Sequence, residues 1–187
     1  MVYVLLGTGF EEMEAIAPID LMRRAGIEVL TVGVTRKTVY GSHNIGVEAD
    51  ILIGEMDLTN LEMIILPGGL GGVASVRASR EAMDALQFAW ENDKFVAAIC
   101  AGPTVLADLG ITDGKNATCY PGCEDGMGSA IMGIKKTGRI YRHQFPGRKV
   151  AAIIKRPPTN QTFPANRWVL FQFSSLFNAQ GTLMPMK

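Results

Sequence analysis

The chain has 187 residues, of which 48% are hydrophobic, and its formal net charge is zero; this length and composition suit one α/β domain with a sizeable core and exclude a second full domain. Three cysteines are too few for a secreted disulfide scaffold, and the N-terminal residues lack the basic region of a secretory signal. We therefore expect a cytoplasmic protein with reduced thiols and, since no apolar run approaches about 20 residues, no membrane partner.

The zero net charge hides two unlike segments. Residues 1–132 hold all 18 acidic residues and 8 of the 18 basic ones, a net charge of −10, whereas residues 133–187 hold the other 10 basic residues and no acid, a net charge of +10. The second segment also carries five of the nine prolines. We therefore divide the chain into an α/β domain over 1–132 and an atypical basic tail over 133–187.

Strand and helix patterns alternate along the first segment and predict a parallel sheet. In chain order, the predicted elements are a strand over Val2–Leu6, a helix over Glu11–Ala25, a strand over Glu28–Val34, a hairpin over Thr38–Ile53, a strand over Met63–Leu66, a glycine-rich loop, a helix over Ser79–Glu91, a strand after Phe95 and a helix from near Pro103. Because parallel strands end at one edge of a sheet, we expect residues 7–10, the loop at 67–72 and Cys100 to converge there.

Cys100 is the leading candidate for a nucleophile. It follows an apolar strand directly and precedes a helix, which is the layout of a nucleophile elbow. The first N–H groups of a helix carry partial positive charge and favour a thiolate over a thiol. The alternative is a buried, inert cysteine at the end of a strand.

Glu14 is the candidate acid. Of the three glutamates at the start of the first helix, Glu11 and Glu12 are expected to face solvent, whereas Glu14 is followed on its face by apolar residues and by Pro18. A buried carboxyl keeps its proton to higher pH and could donate a hydrogen bond to a thiolate or shuttle a proton. The alternative is a surface acid that stabilises the start of the helix.

Pro67-Gly68-Gly69 ends a predicted strand. Two glycines let the backbone approach a substrate closely with its N–H groups exposed, which suits an oxyanion pocket. A plain tight turn is the alternative. The nearby Gly7-Thr8-Gly9 lacks the third glycine of a dinucleotide fingerprint.

Three runs in the chain resemble the ThiJ/PfpI superfamily, in particular its Parkinsonism-associated deglycase and glyoxalase branch. They are the run from Gly9 to Gly26, the run from Leu66 to Gly69, and the run from Ala97 to Pro103. The resemblance covers about residues 1–132. It implies a flavodoxin-like three-layer α/β sandwich, similar to class I glutamine amidotransferases, with a parallel central sheet. It also implies a homodimer that needs no metal or organic cofactor.

By this resemblance Cys100 is the reactive, oxidisable nucleophile and Glu14 its protonated partner, while Gly68, Gly69 and the Ala101 N–H line an anion pocket. The implied activity is glutathione-independent conversion of methylglyoxal to lactate, with removal of early glycation adducts. Thiolate attack on an aldehyde gives a hemithioacetal, and a nearby acid could then move a hydrogen between adjacent carbons. The alternative function is a redox sensor or chaperone in which Cys100 oxidises to a sulfinic acid.

Two positions depart from the family pattern. Ala101 stands where protease members carry a histidine, which disfavours an intracellular cysteine peptidase. Tyr120 stands at the histidine of a Thr-His-Pro stretch, so no imidazole base is evident, and Tyr120 becomes a candidate substrate-binding residue.

His43, in the predicted hairpin, is expected at the surface. Cys119 and Cys123 have no further ligand patterned nearby, so we predict no zinc site.

The tail departs further from the family. After Met132 the expected strands, a Ser-Arg-Gly-Pro-Gly signature and a closing helix are all missing. An out-of-frame 3′ end would produce this composition, so we hypothesise a frameshift near codon 133; finding no Arg-Gly-Pro-Gly in either alternative frame of the coding DNA would count against it. If the tail is native, a disordered extension is favoured over a basic arm, and we expect no nucleic-acid partner.

Overall fold

The chain forms ten β-strands within residues 1–132 and 153–154, which the computed structural model describes. They are β1 (Val2–Leu6), β2 (Val29–Gly33), β3 (Thr38–Tyr40), β4 (Gly46–Glu48), β5 (Ile51–Leu52), β6 (Met63–Leu66), β7 (Phe95–Ala98), β8 (Asn116–Ala117), β9 (Ile131–Met132) and β10 (Ile153–Ile154). Six of them make the central sheet in the order β10-β7-β6-β1-β2-β5, and every pairing except that of β10 with β7 is parallel. The predicted parallel sheet is confirmed.

Helices cover both faces of this sheet. The α-helices in the described residues are α1 (Glu12–Arg24), α2 (Leu70–Ala78), α3 (Arg80–Glu91) and α4 (Pro103–Asp108). Side chains of α1 pack in one core cluster with the β3–β4 hairpin, and side chains of α2, α3 and α4 pack in the other. The three-layer, flavodoxin-like architecture follows.

The central strands are apolar at every position because both of their faces are buried. In β1, Tyr3 and Leu5 join the core cluster that contains α3, whereas Val4 and Leu6 join the cluster that contains α1. This alternation divides five consecutive apolar residues between two cores. The continuous apolar run was therefore sufficient to predict β1 at its observed bounds.

The residues after Gly69 form a helix instead of the predicted glycine-rich loop. Gly69 precedes α2 with a φ of +85°, a conformation that glycine adopts without strain. Inside α2, a Cβ at Gly72 would lie 2.7 Å from the Cα of Phe10, so only a glycine allows this helix to approach that segment closely. Tertiary packing overrides the low helix propensity of glycine here.

The predicted hairpin between 38 and 53 is present. Strand β3 pairs with β4 in antiparallel register, and the chain then returns to the central sheet as β5, parallel to β2. The hairpin folds over the start of α1, because the Gly9 N–H donates to the Tyr40 carbonyl at 2.7 Å and the Ser42 N–H donates to the Phe10 carbonyl at 2.8 Å. It thereby reaches the edge of the sheet where the parallel strands end.

The predictions for the tail concern residues outside the described part, with the exception of 153–154, where β10 pairs with β7. The division at 132, the frameshift, the disordered extension and the basic arm therefore stay predictions. None of the helices in the described part is both long and apolar enough to span a bilayer.

Candidate active site

Cys100 lies at a sharp turn between β7 and α4. Its φ is +60°, a left-handed conformation that residues other than glycine rarely adopt. The Ile99 N–H donates to the Leu66 carbonyl at 3.2 Å, and the Gly102 N–H donates to the Ile99 carbonyl at 2.8 Å, so the backbone is fixed on both sides of the cysteine. Such a conformation costs about 1–3 kcal/mol and persists only where its surroundings enforce it. The predicted strand-to-helix turn is therefore present.

Gly68 brings Cys100 and Glu14 together. A Cβ at this position would lie 2.5 Å from the Cys100 Cβ, 2.5 Å from the Glu14 Oε2 and 3.0 Å from the Cys100 Sγ. The thiol and the carboxylate are thus separated by less than about 6 Å, a range in which a neighbouring charge alters a pKa. The predicted convergence of the glycine loop and Cys100 is observed.

Glu14 is held at this position by the glycine loop and by its own helix. Its Oε2 accepts a hydrogen bond from the Gly68 N–H at 2.8 Å. Its backbone N–H donates to the Glu11 Oε2 at 2.8 Å, which caps α1, and the Glu11 N–H donates to the Gly68 carbonyl at 3.0 Å. The Gly68 N–H is therefore engaged with Glu14, and the Glu14 side chain is half-buried beside the sulfur.

Burial and the charge of Glu14 raise the pKa of the Cys100 thiol to about 11, although hydrogen bonds from the Gly69 and Ala101 N–H groups lower it. The N–H groups after the strand act in the expected direction, but burial and the charge of Glu14 outweigh them. The helix α4 has only six residues and begins at Pro103, so its contribution is outweighed by desolvation of the sulfur. Two N–H donors and the Glu14 side chain thus surround the sulfur.

Tyr120 contacts the elbow through its backbone. Its N–H donates to the Cys100 carbonyl at 2.7 Å, and its own carbonyl accepts from the Cys123 N–H at 3.0 Å. Its side chain is half-buried. The structure therefore places the Tyr120 main chain beside the cysteine, where it helps to fix the turn, and the substrate-binding role of Tyr120 stays a prediction. Both neighbouring cysteines, Cys119 and Cys123, are free thiols.

Glu12 is buried, with an exposed fraction of 6%, and the prediction that it faces solvent is wrong. Its carboxylate accepts from the Ser42 Oγ at 3.1 Å and from the His43 N–H at 2.7 Å, and the His43 Nδ1 lies 2.9 Å away. Burial alone would raise the pKa of Glu12, but these hydrogen bonds outweigh it and lower the pKa to about 2. The His43 ring is largely exposed, as predicted, yet it is paired with Glu12.

Within the described residues, one group of side chains could hold a metal ion. Donor atoms of Glu11, Glu12 and His43 lie within 4.8 Å of one another. The Glu11 carboxylate already caps α1, and the Glu12 carboxylate accepts the hydrogen bonds from the hairpin. These groups therefore have structural partners without a metal.

The arrangement supplies three elements of carbonyl chemistry at the carboxyl edge of the sheet. Cys100 carries a thiol, Glu14 carries a carboxyl group beside it, and the Gly69 and Ala101 N–H groups are hydrogen-bond donors at the same place, which are the groups that nucleophilic attack on a carbonyl requires.

Comparison with known proteins gives a consistent family assignment. The profile described as "DJ-1/PfpI family" matches residues 1–144. Protein dj-1beta of Drosophila melanogaster is 38% identical over 119 residues, which cover 63% of this chain and 64% of the fly protein. A deglycase of Pyrococcus abyssi is 32% identical over 126 residues, which cover 67% of this chain and 75% of the archaeal protein.

A solved structure shares the fold as well as the sequence similarity. Oxidized DJ-1 of Toxoplasma gondii superimposes with a TM-score of 0.66 at 34% identity, covering 74% of each chain. The family match over residues 1–144 includes Cys100, and the chain spans just under two thirds of the length of its fly relative.

Proposed function

The chain belongs to the DJ-1/PfpI family, and from this premise we propose that it is a cysteine-dependent, glutathione-independent glyoxalase or deglycase that acts on methylglyoxal-type aldehydes or their adducts. The observation that carries the proposal is the placement of the Cys100 Sγ and the Glu14 Oε2 within 3.0 Å of the same point beside Gly68. The deglycase name of the Pyrococcus abyssi relative supports enzymatic activity.

The first step of the proposed reaction uses the resting thiol. Glu14 is ionised in this proposal, unlike the protonated partner that the family resemblance implies. As the Cys100 sulfur forms a bond to the aldehyde carbon of methylglyoxal, its proton moves to Glu14, so the high pKa of the thiol is overcome at the moment of attack. The aldehyde oxygen gains negative charge beside the Gly69 and Ala101 N–H groups, which stabilise it. Return of the proton from Glu14 to this oxygen gives a hemithioacetal.

The second step moves hydrogen between adjacent carbons. The Glu14 carboxylate accepts the hydrogen of the former aldehyde carbon as a proton, which leaves an enediolate. Glu14 returns this proton to the neighbouring carbon while the hydroxyl proton passes to the second oxygen, so that a lactoyl thioester remains on Cys100. Water then adds to the thioester and the carbon–sulfur bond breaks, releasing lactic acid and the thiol. Methylglyoxal and water are consumed and lactic acid is formed.

The proposal is tested by measuring methylglyoxal loss and lactate formation without glutathione for the full chain and for Cys100→Ala. The matched control is Cys123→Ser, which removes a free, partly exposed thiol outside the proposed machinery. We expect turnover by the full chain and by the control variant, and only background conversion by Cys100→Ala. Turnover that survives in Cys100→Ala would refute the proposal.

A redox sensor is the second candidate. The Gly69 and Ala101 N–H groups that donate to the sulfur could equally stabilise an oxidised sulfur anion, and the similar Toxoplasma gondii protein was solved in an oxidized form. Peroxide treatment followed by peptide mass spectrometry separates the two functions. Selective oxidation of Cys100 in a folded protein that lacks turnover would favour the sensor.

We also propose that the protein is a cytoplasmic homodimer. Its three cysteines are free, which is consistent with a reducing compartment. Helix α1 exposes Met13 at 70% and Ile16 at 39%, one helical turn apart, an apolar surface that a second copy could cover. Sedimentation of the full chain and of Met13→Glu tests this: a dimer that becomes monomeric supports it, and a monomeric full chain contradicts it.

A further inference from the structure

The buried carboxylate of Glu12 has no part in the proposed reaction, yet it lies two residues from Glu14 at the start of α1. It accepts hydrogen bonds from Ser42 and from the His43 backbone, and the His43 ring lies within hydrogen-bond distance. A buried charge is retained at a cost unless it is paired and hydrogen-bonded, and here the partners come from a segment about thirty residues away. Glu12 thus joins α1 to the turn of the β3–β4 hairpin.

The same short turn of helix carries the contacts to the glycine loop. The Glu11 N–H donates to the Gly68 carbonyl at 3.0 Å, and the Glu14 Oε2 accepts from the Gly68 N–H at 2.8 Å. Glu12 stands between these two residues in the sequence. Its side chain is fixed on the hairpin side while Glu11 and Glu14 are fixed on the side of the loop that borders Cys100.

We propose that Glu12 is a positioning residue that, through its hydrogen bonds to Ser42 and His43, fixes the first turn of α1 and thereby holds the Glu14 carboxylate beside Cys100. The effect on turnover rests on the proposed function, whereas the effect on the position of Glu14 relative to the sulfur does not. A displacement of about 1 Å in a reacting group can cost roughly a hundredfold in rate. The hairpin, which the mechanism does not otherwise use, therefore becomes part of the support of the site.

The test compares Glu12→Gln with Asp50→Asn. Asp50 is a matched control because its carboxylate also joins α1 to the sheet, but at the other end of the helix. It accepts hydrogen bonds from the Thr31 N–H and Oγ1 at 2.8 Å each and from Arg23 at 2.6 Å. For both variants we would measure the melting temperature, kcat and KM for methylglyoxal, and the pH dependence of Cys100 alkylation by iodoacetamide, resolved by peptide mass spectrometry.

We expect both variants to melt below the full chain, and Glu12→Gln alone to lose roughly tenfold or more in kcat with little change in KM. We also expect its Cys100 alkylation to shift to lower pH, in the same direction as for Glu14→Gln, because the Glu14 charge no longer faces the sulfur. A Glu12→Gln protein that is destabilised but has an unchanged Cys100 alkylation profile would overturn the proposal.

If Glu12→Gln does not fold, the double variant Ser42→Ala/His43→Ala decides the matter, since it removes two of the partners and keeps the carboxylate. A shift of Cys100 alkylation to lower pH in that variant supports the proposal, and an unshifted profile overturns it. The alkylation measurement reads the thiol whether or not methylglyoxal is a substrate. Failure of the proposed function would show instead as absent turnover by the full chain.

Discussion

Replacing Glu14 by Gln isolates the effect of one negative charge on the Cys100 thiol. Gln has nearly the shape of Glu, and its side-chain carbonyl can still accept the hydrogen bond that the Gly68 N–H donates at 2.8 Å. The substitution leaves the sulfur as buried as before, and the Gly69 and Ala101 N–H groups still donate to it. Because burial and the charge of Glu14 together raise the pKa of Cys100 to about 11, we predict that this pKa falls in the variant.

The magnitude follows from the geometry at Gly68. The Glu14 Oε2 and the Cys100 Sγ lie 2.5 Å and 3.0 Å from the same point and are therefore at most about 5.5 Å apart. Two full charges within that distance interact by about 3 kcal/mol or more at an effective dielectric constant of about 20. That corresponds to about two pKa units. Since the cysteine is partly exposed, solvent screening reduces the effect, and we expect the pKa to fall by roughly one to two.

The assay is the rate of iodoacetamide alkylation at Cys100 between pH 7 and 11, resolved from Cys119 and Cys123 by peptide mass spectrometry. Glu48→Gln, an exposed substitution in β4, is the charge-matched control and should leave the profile unchanged. The same Glu14→Gln protein should lose about a hundredfold or more in turnover, because it cannot accept and return a proton. A folded Glu14→Gln protein whose Cys100 titrates at the same or a higher pH would refute the reasoning.

Three further predictions concern packing and stability. Gly68→Ala places a Cβ 2.5 Å from the Cys100 Cβ and from the Glu14 Oε2; we expect a loss of about 1–3 kcal/mol in urea unfolding and a strong loss of turnover, and wild-type turnover would contradict this. Because the pKa of Glu12 falls from 4.5 to about 2 on folding, its contribution to stability is present above pH 4.5 and is lost as the pH falls towards 2. As the pH is lowered from 4.5 towards 2, the melting temperature of Glu12→Gln should therefore fall less steeply than that of the full chain. Parallel curves for the two proteins would count against the pairing of Glu12 with Ser42 and His43. Leu86→Ala, at a fully buried site in α3, should cost about 2–5 kcal/mol in urea unfolding while leaving Cys100 alkylation unchanged; altered alkylation would show that the site depends on this core.

The sequence predicted the central strands well because their signal is local. Strands β1 and β6 form at the predicted residues, Val2–Leu6 and Met63–Leu66, since a continuous apolar run between turn residues is typical of a strand buried on both faces. The edge at which the parallel strands end then follows from topology. That is why residues as distant in sequence as Gly68 and Cys100 could be placed together.

Features that depend on distant contacts could not be predicted in this way. Helix α2 forms from a glycine-rich run because Gly72 packs against Phe10, and no local pattern contains that contact. Glu12 was expected in solvent because its partners, Ser42 and His43, lie in a hairpin whose fold over α1 only the structure shows. The signal available in the sequence for a buried acid was the run Gly41-Ser42-His43 at the predicted turn, because these residues offer hydrogen-bond donors.

To predict the pKa of the Cys100 thiol, the burial of the sulfur must be known as well as the charges near it. The sequence places the cysteine before a helix, and that feature alone favours a thiolate. The structure adds desolvation and the nearby Glu14, which together outweigh the N–H donors. The turn that carries Cys100 was predictable from the sequence, whereas the balance of effects on the pKa of the thiol was not.

The central claim is that substrate carbon becomes bonded to Cys100 during turnover with Glu14 as the proton carrier. The most direct measurement is rapid acid quenching of the full chain and of Glu14→Gln during reaction with methylglyoxal, followed by mass spectrometry of the peptide that contains Cys100. We predict an adduct of one methylglyoxal on Cys100 in the full chain, slower formation of this adduct in Glu14→Gln, and release of lactate at the normal rate only by the full chain. Lactate formation by the full chain without any Cys100 adduct, and at an unchanged rate in Cys100→Ala, would contradict the account.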